Sequence, residues 1–124
     1  MTREQAHEFA TQWAAAWNRR DVEAVLAHFA DDVEFISPKA QQFVGRSVLK
    51  GKAELRNYWE TALKQINDIR FTLDSVFVGP GEREIAVLYT SRLNGRASRA
   101  MEIMRFHEDG LIVRGEAMYG VTIE

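Results

Sequence analysis

The sequence has no cysteine and only two prolines in 124 residues. Without cysteine there is no disulfide framework and no thiolate for catalysis or metal binding. That pattern fits a reducing compartment, so a cytoplasmic location is the expectation. An excess of charge is also missing. Sixteen basic against eighteen acidic side chains leave a net charge of -2, which offers no basic field to a nucleic-acid backbone or to anionic lipid. No apolar run approaches the ~20 residues that cross a bilayer. The opening Met1-Thr2-Arg3-Glu4-Gln5 is charged where a secretory leader would be apolar. Neither nucleic acid nor membrane is expected as a partner. The three histidines, His7, His28 and His107, are scattered without metal-ligand spacing. Gly79-Pro80-Gly81 lacks the Lys and helix that a phosphate loop needs. No metal and no cofactor is expected.

What remains is the composition of an ordinary globular domain, 46% hydrophobic and 27% charged. Residues 1–124 suffice for one domain, without repeats, linkers or low-complexity segments.

The chain opens with Thr2 and Gln5 spaced as a capping box. Ala6, Phe9, Ala10, Trp13 and Trp17 follow at helical spacing. Asp21 is a good N-cap for a short second helix whose Val22, Val25, Leu26 and Phe29 face inward. Asp31-Asp32 break that helix, and Val33 to Ile36 make a first strand ending at Ser37-Pro38. Phe43 to Leu49 are read as a second strand. Gly51 opens a third helix with Leu55, Tyr58, Trp59, Ala62, Leu63 and Ile66 on its buried face.

From Ile69 the period changes to two, with Ile69, Phe71, Leu73 and Phe77 on one face of a long strand. Ile85, Val87, Tyr89 and Leu93 mark the next strand, and Asn94-Gly95 is a two-residue hairpin turn. Ala100, Met104 and Phe106 share a face of the strand after it. Asp109-Gly110 turns into a last strand from Leu111 to about Tyr119. The order α-α-β-β-α-β-β-β-β argues for an α+β fold on a curved, mostly antiparallel sheet with three helices.

Several local features carry a family resemblance in order and spacing. They are the segment from Trp13 through Asn18-Arg19-Arg20-Asp21 to Phe29, Ala30-Asp31-Asp32, Ser37-Pro38 and Lys50-Gly51-Lys52. Asn94-Gly95, Met104-Arg105-Phe106 and Asp109-Gly110 complete the set. The chain resembles SnoaL-like domains of the nuclear-transport-factor-2-like superfamily, which includes ketosteroid isomerases. The resemblance covers essentially the whole chain. It implies a cone-shaped fold around an apolar cavity, and pairing of two copies through the outer sheet face. Val76, Val78, Leu88, Met101, Ile103, Ile112 and Met118 would supply that outer face.

Placed on the isomerase pattern, the general-base position is Ser37, the tyrosine of the oxyanion hole is Trp13, and the protonated acid is Glu102. A serine hydroxyl is a poor proton acceptor near neutral pH, and an indole N–H only donates. Steroid isomerisation by that mechanism is therefore not expected. Limonene-epoxide hydrolases need a second Asp on the last strand, where Glu116, Ala117, Met118 and Tyr119 stand. SnoaL-like cyclases, which use a buried acid to shift protons, are the remaining template.

Glu102 is the candidate catalytic residue, because an ionisable group there falls in the apolar row of Ala100, Met104 and Phe106. Burial would disfavour its charged form and make it an acid, base or hydrogen-bond donor. The competing reading pairs it with Arg92 or Arg105 on a twisted strand. Candidate ligand-binding residues are Trp13, Trp17, Phe35, Ser37, Trp59, Tyr89, Met104 and Tyr119, the aromatics offering flat apolar area with a polar tip. Plain core packing would explain the aromatics as well, and Ser37 also reads as a turn residue before proline.

The expected partner is a small apolar molecule, cyclic and carbonyl-bearing. Whether the pocket performs isomerase or cyclase chemistry, or only binds, stays open. A ligand-binding or dimerisation module without chemistry is one alternative. A protein-interaction domain with an exposed apolar groove is the other.

Overall fold

The structure is a computed structural model that describes residues 1–123. Helix α1 (Arg3–Asn18) begins with the expected capping box: Thr2 accepts from the Gln5 amide, and the Gln5 side chain accepts from the Thr2 amide. Its inward stripe buries Ala6, Ala10, Trp13 and Trp17. Helix α2 (Val22–Leu26) is capped by Asp21, whose carboxylate accepts from the Ala24 amide. Next come β1 (Phe29–Ile36), α3 (Pro38–Val44), β2 (Val48–Lys50) and α4 (Lys52–Gln65). Four long strands follow: β3 (Ile69–Val78), β4 (Glu84–Leu93), β5 (Arg96–Phe106) and β6 (Ile112–Ile123).

The strands form one sheet in the order β2-β1-β6-β5-β4-β3. Among the described residues only β1 and β6 run parallel, with Phe35 opposite Gly115. The sheet wraps around the helices, and the core lies between its concave face and α1 and α4. Among the described residues, no helix is long and apolar enough to cross a membrane. The α+β class and the curved, mostly antiparallel sheet agree with the sequence reading.

Four details differ from it. The segment read as a strand from Phe43 contains a fourth helix, α3, and only Val48–Lys50 pair with β1. Pro38 at the first helical position presets φ, and Gly45 at φ 78° ends the helix in the left-handed region. Seven residues of helix, about two turns, leave too short a window for its period to be seen. Second, β1 begins at Phe29 rather than Val33. Asp31 and Asp32 lie exposed within it, at an irregularity in its pairing with β6.

Third, β3 carries a bulge between Leu73 and Ser75. The extra residue exchanges the two faces beyond it. Val76 and Val78 therefore pack on the core, and Phe77 is 53% exposed. Fourth, Ile112 is fully buried in the core rather than on the outer face. A second irregularity, between Arg105 and Phe106, sets its position against β5.

The edge strand β3 is fastened to α1 by one side chain. Asn18 donates from Nδ2 to the Phe71 carbonyl at 3.0 Å and accepts from the Phe71 amide at 2.7 Å. This supplies the pair of bonds a neighbouring strand would make. Just beyond the same end of β4, Asn94 sits at φ 52° in the hairpin turn. Its Oδ1 accepts from the amides of Asn67 and Asp68, and its Nδ2 donates to the Gln65 carbonyl. The hairpin is thereby tied to the end of α4.

Candidate functional site

Cross-strand register decides which side chains meet on the concave face. One row reads Val76, Val87, Glu102 and Ala117, and the row beside it reads Leu73, Tyr89, Ala100 and Tyr119. Glu102 is thus the single ionisable group in a row of small and branched apolar residues. It is 5% exposed, and its Oε2 is buried without a hydrogen-bond partner. Burial raises its carboxyl to about 8, so at neutral pH it is mostly the protonated acid. The pairing alternative does not hold: Arg92 and Arg105 are exposed on the opposite face of the sheet, where Arg105 forms an ion pair with Glu84 at 3.3 Å.

Glu102 faces a cavity of about 60 Å³ between the sheet, α3 and α4. That is room for a handful of water molecules and well below the ~150 Å³ that accepts a benzene ring. Its inner wall is aromatic. Trp17 and Trp59 meet edge to face at 4.9 Å, and Trp59 meets Phe35 the same way at 5.6 Å. Phe71 continues the wall from Trp17, 6.0 Å away, to Tyr89, 4.8 Å away. Leu63, Phe43, Leu93, Lys39 and Tyr119 are only partly buried and frame its outer side.

The sheet and helices bring further hydroxyls to the same space. Ser37 Oγ and Tyr58 Oη are 3.2 Å apart and buried. Burial pushes the Tyr58 phenol up to about 12; the bond to Ser37 opposes that rise and the nearby charge of Glu102 adds to it. Tyr89 and Tyr119 are raised above the ordinary tyrosine value, first by burial and then by neighbouring groups that include Glu102. One carboxyl therefore stands among three phenols and a serine. Such a set can donate hydrogen bonds to a carbonyl or hydroxyl oxygen. Among the described residues no group of His, Asp and Glu is arranged to hold a metal.

Of the residues singled out from sequence, Trp17, Phe35, Ser37, Trp59, Tyr89, Tyr119 and Glu102 stand on the cavity wall. Trp13 and Met104 do not. The Trp13 ring sits behind the wall, 5.1 Å from Tyr89 and 5.5 Å from Phe71, with Nε1 buried and unpartnered. Met104 is fully buried in the row of Ile85 and Gly115, at the filled end of the sheet. Ser37 precedes α3 without capping it, because its hydroxyl is turned to Tyr58. Sequence reasoning missed Lys39, Phe43 and Tyr58. The signal for Tyr58 was a hydroxyl on a buried helix face, which needs a partner.

The family model of the SnoaL-like domain matches residues 10–115. A SnoaL-like protein of unknown function from Burkholderia thailandensis is 34% identical, with a TM-score of 0.85 over 98% of this chain and 99% of that one. TerC, co-crystallized with polyporic acid, is 16% identical, with a TM-score of 0.76 over 93% of this chain and 91% of its own. SalBIII, an epoxide hydrolase/cyclase-like enzyme with a role in pyran ring formation in the polyether salinomycin, is also 16% identical. Its TM-score is 0.76 over 95% of this chain and 92% of its own. At that identity the last two share the fold alone. No curated protein matches the chain.

Proposed function

The chain belongs to the SnoaL-like domain family, and from that premise we propose that its cavity takes a small, largely apolar cyclic compound bearing a carbonyl group. Glu102 acts on that group as an acid/base without a cofactor, in isomerase or cyclase chemistry. The observation that carries this reading is the placement of Glu102: a carboxyl in an apolar row, facing the cavity, with one oxygen lacking any partner. A buried polar atom left unbonded costs roughly 1–3 kcal/mol. A ligand oxygen beside the protonated carboxyl would recover that cost. Where negative charge grows on that oxygen in the transition state, the bond it accepts from Glu102 strengthens with it. TerC and SalBIII support the class of ligand, since the first was crystallized with polyporic acid and the second has a role in forming a pyran ring. Ser37 stands where an isomerase base would be, so the reaction differs from steroid isomerisation.

A cavity of about 60 Å³ must widen to admit a ring. The partly buried Lys39, Phe43, Leu63, Leu93 and Tyr119 are the side chains that would move. Titrating tryptophan fluorescence with planar phenols and cyclic enones tests the reading, because Trp17 and Trp59 are wall residues. Saturable quenching is expected, with turnover of any substrate found and its loss in Glu102→Gln. With Glu102 as the acid, the rate should fall as pH rises through about 8. Full turnover in the variant removes Glu102 as the catalyst.

The second reading is a binding or dimerisation module without chemistry. It draws on Glu102 being the only carboxyl on the cavity wall among the described residues, and it predicts quenching with no product at any pH. Under either reading a second copy of the chain covers the outer sheet face. Phe77, Leu88, Met101, Ile103 and Met118 form an apolar surface there.

A further inference from the structure

A carboxyl and an amine, Glu102 and Lys39, both stand on the cavity wall. Glu102 is buried in the sheet, and nothing but burial moves its titration. Lys39, in the first turn of α3, is half-buried on the outer side of the wall. Its Nζ stands 4.6 Å from the centre of the Tyr119 ring. Neither charge shifts the other, whereas the Tyr119 phenol is raised by Glu102. Tyr119 stands on the same wall as both, with Lys39 over its ring, two positions along β6 from Ala117, the cross-strand partner of Glu102.

Among the described residues no acid forms an ion pair with Lys39. Burial lowers its affinity for a proton and the charge of Arg96 lowers it further, with no carboxylate acting in the other direction. A ring face is a weak substitute for an anion, worth ~0.5–2 kcal/mol. Every other residue on the wall, Glu102 apart, is apolar or a neutral hydroxyl. A half-buried ammonium on an aromatic wall, with a second cation close by, is a place where an anion is held more strongly than in water.

We propose that the ligand of this cavity carries an anionic group, a carboxylate or an acidic phenolate, at the end opposite its carbonyl, and that Lys39 recognises it. This deepens the carbonyl-ligand reading and rests on it. The anion would draw Nζ away from the Tyr119 ring, which also opens the outer side of a cavity too small for a ring as it stands. Neutral compounds would have to displace Lys39 without giving it a partner. Selection therefore falls at the entrance, whereas Glu102 attends to the oxygen inside.

Acetophenone, 4-acetylbenzamide and 4-acetylbenzoate share one ring and one carbonyl and differ at the opposite end. Their affinities for the whole protein, measured by calorimetry, separate the two ideas. The expected result is tighter binding of 4-acetylbenzoate by about ten- to a hundredfold, as for a hydrogen bond to a charged group. The preference should disappear in Lys39→Gln and survive in Lys39→Arg. Similar affinities for all three, or a preference kept in Lys39→Gln, overturn the role of Lys39 and leave the carbonyl pocket standing. Binding of none of them overturns both.

Discussion

Glu102 makes stability depend on pH in the direction opposite to most carboxylates. An unfolded glutamate titrates near 4.5, whereas burial raises the folded one to about 8. Between those values the folded state holds more protons than the unfolded state. The contribution of the group is intact below about 4.5 and is lost as pH rises through about 8, at a slope of up to about 1.4 kcal/mol per pH unit. Urea denaturation at pH ~6 and ~9 should show wild type losing stability that Glu102→Gln retains. Equal losses in both proteins would mean that the carboxyl is hydrated in the folded state. Glu102 was legible in the sequence because a period of two places it among Ala100, Met104 and Phe106. Tyr58 was legible only as one more residue on a buried helix face. What sets it apart is a bond to Ser37, 21 positions away, and spacing along the chain carries no sign of that. Lys39 was hidden for a different reason: the helix that points it at the cavity was itself not foreseen.

Elements with long periods were legible, and those whose geometry depends on one residue were not. Helix α1, helix α4 and the β4–β5 hairpin follow from caps, apolar spacing and Asn94-Gly95. The bulge in β3 does not, because Ser75-Val76-Phe77-Val78 alternates equally well in either register. The β1–β6 contact shows how tightly one such detail can hold the wall. A Cβ on Gly115 would lie 2.7 Å from Phe35 Cδ1 and 2.9 Å from Cε1. The Phe35 ring is held edge to face by Phe29 and Trp59, so it has little room to give. Gly115→Ala should cost about 1–3 kcal/mol by overpacking, read as a lowered denaturation midpoint. Adding Phe35→Leu should return part of it. A Gly115→Ala protein as stable as wild type would show that the Phe35 ring moves freely and does not hold this part of the cavity wall in place.

At the scale of the molecule, family and architecture came through from the order of elements, because hairpin turns and caps are local signals. The volume of the cavity did not, since it depends on how far each of several aromatic rings leans. Nor did the membership of the outer face, which two irregularities rearranged. The corrected face makes the pairing of two copies testable. Phe77 is 53% and Met118 45% exposed, with Leu88, Met101 and Ile103 between them. Sedimentation should find a dimer in the wild type and a monomer in Phe77→Glu/Met118→Glu, with the cavity intact. A monomeric wild type at tens of micromolar (~50 μM, where stable dimers of this kind persist) would remove the dimer. The parallel contact between β1 and β6 has a temporal consequence. Its partners lie about 80 residues apart along the chain, and such distant pairs close late and slowly. As the chain leaves the ribosome, the two helices and β1 emerge early and must wait for Ile112 to Glu116 before the sheet can join. Until then Phe35, which packs on Gly115, has no β6 to cover it, and a chaperone would meet it first. The pocket is among the last things this chain builds.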